Sequence, residues 1–153
     1  MNLLLPAFLA TVGLSLIDSW VAAIKDTWEF PAGYKKPAQI LHKICLAESG
    51  AQEDTLSQCM DGTLHNDRGV KCYMHCLFEK TTVLDKATGQ IKPERMAPLA
   101  PNSDMREAFL HLSDSCNGHA IMEDPCDTAY EAAKCFLGAH DEVVKFCHLL
   151  MAD

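Results

Sequence analysis

Apolar residues recur along this chain at intervals of three and four, the spacing that places side chains on one face of an α-helix. Runs in which apolar and polar residues alternate, which are typical of β-strands, are absent from the sequence. Pro, Gly, Asp and Asn residues divide the helical pattern into short segments. The pattern therefore predicts an all-α fold of six to seven short helices.

The segments between these breaks give the approximate helix positions. We predict an irregular arm over residues 24–35 and a turn over residues 85–90, where the sequence reads DKATGQ. The predicted helices cover residues 37–47, 53–60, 67–81, 93–99, 103–116 and 124–138, with a last helix that starts at Asp141.

Helix ends and apolar faces follow from the same pattern. Asp67 is the predicted cap of the third helix, and Ser103-Asp104 is the predicted cap of the fifth, with Glu107 completing a capping box. The predicted apolar stripes are Ile40, Leu41, Ile44 and Cys45 on the first helix, Met105, Phe109, Leu112 and Cys116 on the fifth, and Val143, Phe146, Cys147 and Leu150 on the last.

The N-terminus has the pattern of a secretion signal. An apolar run over residues 3–17 is followed by polar residues and then by the small residues Val21-Ala22-Ala23. The run is shorter than the roughly 20 apolar residues that a membrane-spanning helix needs. We therefore expect a signal peptide over residues 1–23 and a single domain over residues 24–153, with no membrane span.

The charge balance excludes one class of partner. Asp18 is the only acidic residue in the first 23, so the remaining chain has 13 basic and 20 acidic residues. An acidic surface repels the phosphate backbone, so nucleic acid is not an expected partner.

Eight cysteines are the most informative residues in the chain. In a secreted protein of this size they predict a disulfide framework. Cys72 and Cys76 share one helix face, where the geometry for bonding each other is poor, so each should bond a different neighbour. Cys126 and Cys135 point to opposite faces of their helix, which should therefore lie between two others. Eight cysteines allow 105 pairings, and spacing alone does not choose among them.

Six of these cysteines follow a spacing that resembles the insect odorant-binding protein family, which includes the pheromone-binding proteins. The spacing is C-x26-C-x3-C-x39-C-x9-C-x8-C, from Cys45 to Cys135. The segments LHKICLAESG (41–50), KCYMHCLFEK (71–80) and DKATG (85–89) are also similar to members of that family. The resemblance covers about residues 36–138, and Cys59 and Cys147 lie outside the six-cysteine pattern.

The resemblance implies a pairing and a function. It assigns Cys45–Cys76, Cys72–Cys126 and Cys116–Cys135, which leaves Cys59 and Cys147 for a fourth bond. It further implies a secreted carrier, present in sensillar lymph or another body fluid. Such a carrier binds small hydrophobic odorants or pheromones in an internal cavity and delivers them to an olfactory receptor. It leaves a homodimer open and implies no cofactor.

Helix position and likeness to the family together indicate the residues of a cavity wall. Met and Phe are suited to such a wall because they adapt to irregular apolar shapes. The methionines available are Met60, Met74, Met96, Met105, Met122 and Met151. The predicted ligand-binding residues are Phe78, Met96, Leu99, Met105, Phe109, Leu112, Ala133, Phe136, Phe146 and Leu149.

Seven histidines raise the question of pH-dependent release. His111 and His148 are the candidates for a pH switch, because each is next in sequence to a predicted wall residue. Protonating them is expected to loosen the pocket in acid.

Other classes of function have weaker support. Cys72, His75 and Cys76 faintly resemble the helix of secreted phospholipase A2, but the calcium loop of that family is missing, and no other catalytic motif is present. The same three residues lack the second ligand pair of a zinc site. We therefore expect neither an enzyme nor a metal site. The alternative is a secreted helical signalling or interaction protein with a dry core, which a cavity would distinguish from a carrier.

Overall fold

The computed structural model describes residues 30–151, and the predicted signal peptide lies outside them. The described part of the chain is all-α, as predicted, with six α-helices and four short 3₁₀ segments. The helices are α1 (Lys35–Ser49), α2 (Glu53–Leu56), α3 (Arg68–Lys80), α4 (Ser103–Cys116), α5 (Pro125–Ala139) and α6 (Val144–Leu150). The 3₁₀ segments are Ala32–Tyr34, Ser57–Asp61, Pro93–Leu99 and Asp141–Val143.

Side-chain caps fix the starts of three helices. Asp67 accepts a hydrogen bond from the Val70 backbone N–H and caps α3, as predicted, and Asp124 accepts one from the Cys126 N–H at α5. The predicted cap of α4 is wrong, because Asn102 and not Ser103-Asp104 caps this helix. The backbone of Asn102 is extended, and its side-chain oxygen accepts the Met105 N–H at 2.8 Å.

The predicted apolar stripe of α1 is also partly wrong. Ile40 and Ile44 are 52% and 41% exposed, whereas the buried residues of this helix are Ala38, His42 and Cys45. At 100° per residue, Ile40 and Ile44 lie on the side of the helix opposite His42. The disulfide from Cys45 to α3 determines which face turns inward, and a buried polar residue occupies the middle of that face.

Four disulfides join the helices, in the pairing that the family resemblance implies. Cys45–Cys76 joins α1 to α3, and Cys59–Cys147 joins the Ser57–Asp61 segment to α6. Helix α5 is joined to α3 by Cys72–Cys126 and to α4 by Cys116–Cys135, with Cα–Cα distances of 4.6 and 5.9 Å. As expected, α5 therefore lies between two other helices, and the paired segments cannot separate.

The core consists of two hydrophobic clusters. The first cluster is formed by α1, α3 and the first part of α5, with Leu56, Val70 and Tyr73 among its most buried members. The second cluster is formed by Met105, Phe109 and Leu112 of α4 with Phe136 of α5 and residues of the 83–97 region. Phe78 packs against both clusters, so the two meet at α3.

The segment between α3 and α4 is held by ion pairs. A single antiparallel bridge joins Leu84 to Ile91 and closes the turn predicted over residues 85–90. Asp85 accepts hydrogen bonds from Lys92 at 2.7 Å and from Arg95 at 2.9 Å. These contacts fix the start of the Pro93–Leu99 segment, which forms part of the site described below. No helix within residues 30–151 is long and apolar enough to cross a membrane.

Candidate functional site: an apolar cavity

An internal cavity of about 330 Å³ lies between the two clusters. Helices α1, α3, α4, α5 and α6 and the Pro93–Leu99 segment all contribute to its wall. Among the described residues, no charged side chain lines it. The volume is within the range of small-molecule sites, which are concave and mostly apolar.

The structure places all ten of the predicted ligand-binding residues on this wall. They come from α3 (Phe78), the Pro93–Leu99 segment (Met96, Leu99), α4 (Met105, Phe109, Leu112), α5 (Ala133, Phe136) and α6 (Phe146, Leu149). Their contact with a ligand stays a prediction. Of the methionines considered, Met74, Met96 and Met105 line the cavity, whereas Met60, Met122 and Met151 do not.

Sequence reasoning missed most of the wall on α1 and α3. The missed residues are Ala38 and Leu41 of α1, with Tyr73 and Leu77 of α3. A signal for the first helix was present, because Ala38, His42 and Cys45 follow helical spacing. It was overlooked because a histidine interrupts the apolar pattern.

Aromatic rings close the cavity beside α6. The Phe146 ring lies 4.9 Å from that of Phe30 and 5.5 Å from that of Phe109, measured between centroids. Phe78 and Phe136 meet edge to face at 5.7 Å. Such pairs add to the free energy of apolar burial by about 0.5–1.5 kcal/mol each. They join the N-terminal segment, α4 and α6 without a covalent bond.

The hydroxyl groups of the wall are all bonded to protein atoms. Tyr34 Oη donates to the Leu99 carbonyl at 2.8 Å, and Thr81 Oγ1 donates to the Leu77 carbonyl at 2.6 Å. Tyr73 Oη lies 2.7 Å from His42 Nδ1. The wall residues that the structure describes therefore offer a ligand no free hydroxyl proton.

His42 and Tyr73 belong to a row of hydrogen-bonded side chains that ends at the protein surface. His42 Nε2 lies 3.0 Å from the carboxylate of Glu53, whose side chain is 59% exposed. Tyr73 has no accessible surface, and His42 is 6% exposed. Burial, with a smaller contribution from the Glu53 carboxylate, raises the pKa of the Tyr73 hydroxyl, so this group stays protonated.

The mouth of the cavity lies between the start of α1 and the end of the Pro93–Leu99 segment. Pro37 and Leu99 are the exposed wall residues of the described chain, and Leu99 is 60% exposed. The hydrogen bond from Tyr34 to Leu99 crosses this opening. One neutral hydrogen bond therefore joins its two sides.

The two histidines predicted to act as a pH switch are both exposed, and neither is on the wall. His111 Nε2 lies 3.4 Å from Ser115 Oγ, and its ring lies 5.8 Å from the ring of His140, which follows α5. His148 is on α6, next to Leu149. Among the described residues the buried histidine is His42, which was not predicted.

The cysteines considered for a metal site are bonded elsewhere. Cys72 and Cys76 both form disulfides, so they are not available as thiolates. Over residues 30–151, no group of three His, Cys, Asp or Glu side chains is placed to hold a metal ion.

Comparison with known proteins agrees with this geometry. Residues 28–139 match the model of the PBP/GOBP family. General odorant-binding protein 69a of Drosophila melanogaster is 26% identical over 110 residues, which cover 71% of this chain and 72% of that protein. Odorant-binding protein 10 of Aedes aegypti is 24% identical over 94 residues, which cover 60% and 65%.

Solved structures show the same fold. Odorant-binding protein 7 from Anopheles gambiae, described with four disulfide bridges and in complex with an azo compound, superposes with a TM-score of 0.75 at 50% identity. The match covers 82% of this chain and 100% of that one. A medfly odorant-binding protein with 21% identity gives a TM-score of 0.66 and supports the fold alone. With its helices, its four disulfides and an apolar cavity between two clusters, this chain belongs to the PBP/GOBP family of odorant-binding proteins, which are small-ligand carriers and not enzymes.

Proposed function

We propose that this protein is a secreted carrier that binds small hydrophobic odorants or pheromones reversibly and delivers them to an olfactory receptor. The observation that carries the proposal is the apolar cavity of about 330 Å³. The azo compound bound to the Anopheles gambiae protein supports occupation of the cavity by a small ligand. A cavity of this size also argues against the dry core of a purely structural or signalling protein.

Burial of apolar surface is the proposed source of affinity. Removing apolar surface from water yields about 25 cal/mol per Å², from which the cost of ordering the ligand is subtracted. For a ligand of about a dozen heavy atoms, this supports dissociation constants near the micromolar range. Such affinities allow both uptake and release.

Four disulfides support the proposed secretion, because such bonds persist in oxidising compartments. We propose that residues 1–23 are removed as a signal peptide and that residues 24–153 form the carrier. The expected location is sensillar lymph or another body fluid.

Release in acid is the remaining part of the proposal. His111 has His140 beside it, so protonating both rings would place two like charges close together where α5 ends. His148 is on α6, whose Phe146 and Leu149 line the cavity. Charge on these helices is expected to loosen the side of the cavity that α6 closes.

The test is displacement of a fluorescent apolar probe from the oxidised protein. Saturable micromolar binding that odorants compete away would support the carrier. Leu112→Trp places a bulky side chain in the cavity and should abolish probe binding, since Leu112 is on the wall. Leu110→Trp is the matched control, because Leu110 is on the same helix, is 45% exposed and is not on the wall. No saturable binding by the folded wild-type protein would instead favour the interaction protein with a dry core.

The same measurement at neutral and mildly acidic pH tests release. The affinity of the wild-type protein for the probe should fall in acid. A His111→Gln/His148→Gln variant should bind the probe equally well at both pH values. An affinity that does not change with pH in the wild-type protein would remove release in acid from the proposal and leave the carrier intact.

A further inference from the structure

Tyr73 is a wall residue whose hydroxyl is bonded within the protein. The residue has no accessible surface, and its hydroxyl lies 2.7 Å from Nδ1 of His42 on α1. The rings of the two residues meet edge to face, with centroids 5.7 Å apart. A buried hydroxyl without a hydrogen-bond partner costs free energy of folding. The partner of the Tyr73 hydroxyl therefore determines whether that hydroxyl can bond a ligand.

The Glu53 carboxylate, at the exposed end of the Tyr73–His42–Glu53 hydrogen bonds, determines which atoms donate in them. A carboxylate only accepts hydrogen bonds, so the proton of the neutral His42 ring is on Nε2, where it faces Glu53. Nδ1 is then an acceptor, and the Tyr73 hydroxyl donates to it. Tyr73 therefore uses its only proton within the protein.

We propose that His42, oriented by Glu53, is a positioning residue that keeps the Tyr73 hydroxyl away from the ligand and so makes the cavity selective for hydrocarbons over ligands that carry a hydrogen-bond acceptor. This inference rests on the proposed carrier function and adds the class of ligand. His42 itself is not on the wall, so it acts through Tyr73.

The rest of the wall supports the same selectivity. The other two hydroxyls, on Tyr34 and Thr81, donate to the backbone carbonyls of Leu99 and Leu77. A ligand carbonyl that enters the cavity thus loses its hydrogen bonds to water and gains none in return. The penalty for an unsatisfied buried polar group corresponds to a loss of roughly tenfold in affinity.

The test compares two ligands of the same carbon skeleton, a methyl ketone and the hydrocarbon in which a methylene group replaces the carbonyl oxygen. Displacement of the fluorescent probe gives both dissociation constants. The wild-type protein should bind the ketone about tenfold more weakly than it binds the hydrocarbon. His42→Ala frees the Tyr73 hydroxyl and opens space beside it, so the ratio of the two constants should fall towards one.

Two further variants separate positioning from a purely structural role. His42→Asn keeps a polar group close to the position of Nδ1 and should restore the wild-type ratio. Tyr73→Phe should leave the ratio unchanged in the wild-type background and should abolish the effect of His42→Ala. Circular dichroism and thermal unfolding establish that each variant is folded.

Each result bears on a different claim. Ketone binding by wild-type protein as tight as hydrocarbon binding overturns the selectivity. A tenfold loss of ketone affinity in Tyr73→Phe also overturns the selectivity, because the Tyr73 hydroxyl would then already donate to the ketone in the wild-type protein. This result is obtained with His42 unchanged. Failure of wild-type protein to bind the hydrocarbon or the probe would instead remove the carrier function itself.

Discussion

The two sides of the cavity are held together by different bonds. Helices α1, α3 and α5, which we call the frame, are joined by the disulfides Cys45–Cys76 and Cys72–Cys126. Residues 30–34 and Pro93–Leu99, which we call the wall segments, also line the cavity and contain no cysteine. Ring contacts, ion pairs and a hydrogen bond hold the wall segments in place.

This difference explains how a cavity persists in a small domain. An apolar void of this size would tend to collapse if its walls were free to approach each other. Covalent bonds in the frame keep the helices spaced, while weaker contacts in the wall segments allow a ligand to pass. The predictions below test this comparison by removing one kind of bond at a time.

The largest effect is expected from the disulfide that joins α6 to the Ser57–Asp61 segment. Cys59→Ser/Cys147→Ser opens a loop of 88 residues, which in the loop-entropy model costs about 4.6 kcal/mol of the free energy of unfolding. Probe affinity should fall as well, because α6, which carries Phe146 and Leu149, then loses its covalent link.

The matched control removes the shortest loop. Cys116→Ser/Cys135→Ser spans 19 residues and should cost about 3 kcal/mol. Thermal unfolding and probe titration measure both variants. If the first variant lost stability and kept full affinity, α6 would not be a required part of the cavity.

Two core truncations separate stability from binding. Val70 is 1% exposed, belongs to the first cluster and is not on the wall, so Val70→Ala should cost about 2 kcal/mol of stability and leave affinity within about twofold. Phe146 is half-buried between Phe30 and Phe109, so Phe146→Ala should lower probe affinity about tenfold.

Denaturant unfolding and probe titration on the same samples give the two quantities. Equal losses of affinity in both variants would mean that the two clusters respond as one unit.

The second cluster could be predicted from the sequence because its pattern is local. Met105, Phe109, Leu112 and Cys116 follow helical spacing on one segment, and all are buried. Their neighbours Phe136 and Phe146 followed from helix position and from likeness to the family. The wall residues of α4, α5 and α6 needed no knowledge of distant contacts.

The first cluster could not be predicted in the same way. His42 is buried because Tyr73, 31 positions away, and Glu53 satisfy both of its ring nitrogens. Without those partners, a histidine beside Leu41 looks like a surface residue, and the inward face of α1 is assigned to Ile40 and Ile44 instead. The disulfide between Cys45 and Cys76 determines which face of α1 turns inward. Cysteine spacing alone did not determine that pairing.

A smaller effect is expected from the ion pair that holds a wall segment. The hydrogen bond from Lys92, with help from the Ala87 N–H and Arg95, lowers the pKa of Asp85 to about 2. A carboxyl whose pKa is lower in the folded state stabilises the fold above its unfolded pKa of about 3.8, and this contribution disappears as the pH falls towards 2. Asp85→Asn should therefore lower the thermal midpoint equally at pH 7 and pH 5, and progressively less below about pH 4.

The control is Asp114→Asn on the exposed side of α4, which should leave the midpoint nearly unchanged. A difference between wild type and Asp85→Asn that already shrinks between pH 7 and pH 5 would contradict the assignment. Because this ion pair survives mild acid, it would not account for a loss of ligand affinity in that range.

The smallest effect on the dissociation constant is expected from a substitution at the mouth of the cavity. This substitution is the most informative about how a ligand enters. Tyr34→Phe removes the exposed hydrogen bond to Leu99, whose net contribution is about 1 kcal/mol or less. The bond joins the two wall segments whether or not a ligand is inside, so its loss should raise the association and dissociation rates together, by severalfold each. The dissociation constant should stay within about twofold, and stopped-flow fluorescence with the apolar probe measures all three quantities.

Tyr130→Phe is the matched control for the mouth. Tyr130 Oη also donates to a backbone carbonyl, that of Leu64 at 3.2 Å, but Tyr130 is buried in the first cluster and is not on the wall. Its loss should cost about 1 kcal/mol of stability and leave both rates unchanged. If the two variants changed the rates equally, ligand entry would depend on general loosening of the fold. If only Tyr34→Phe does so, ligands pass between the wall segments while the frame stays closed.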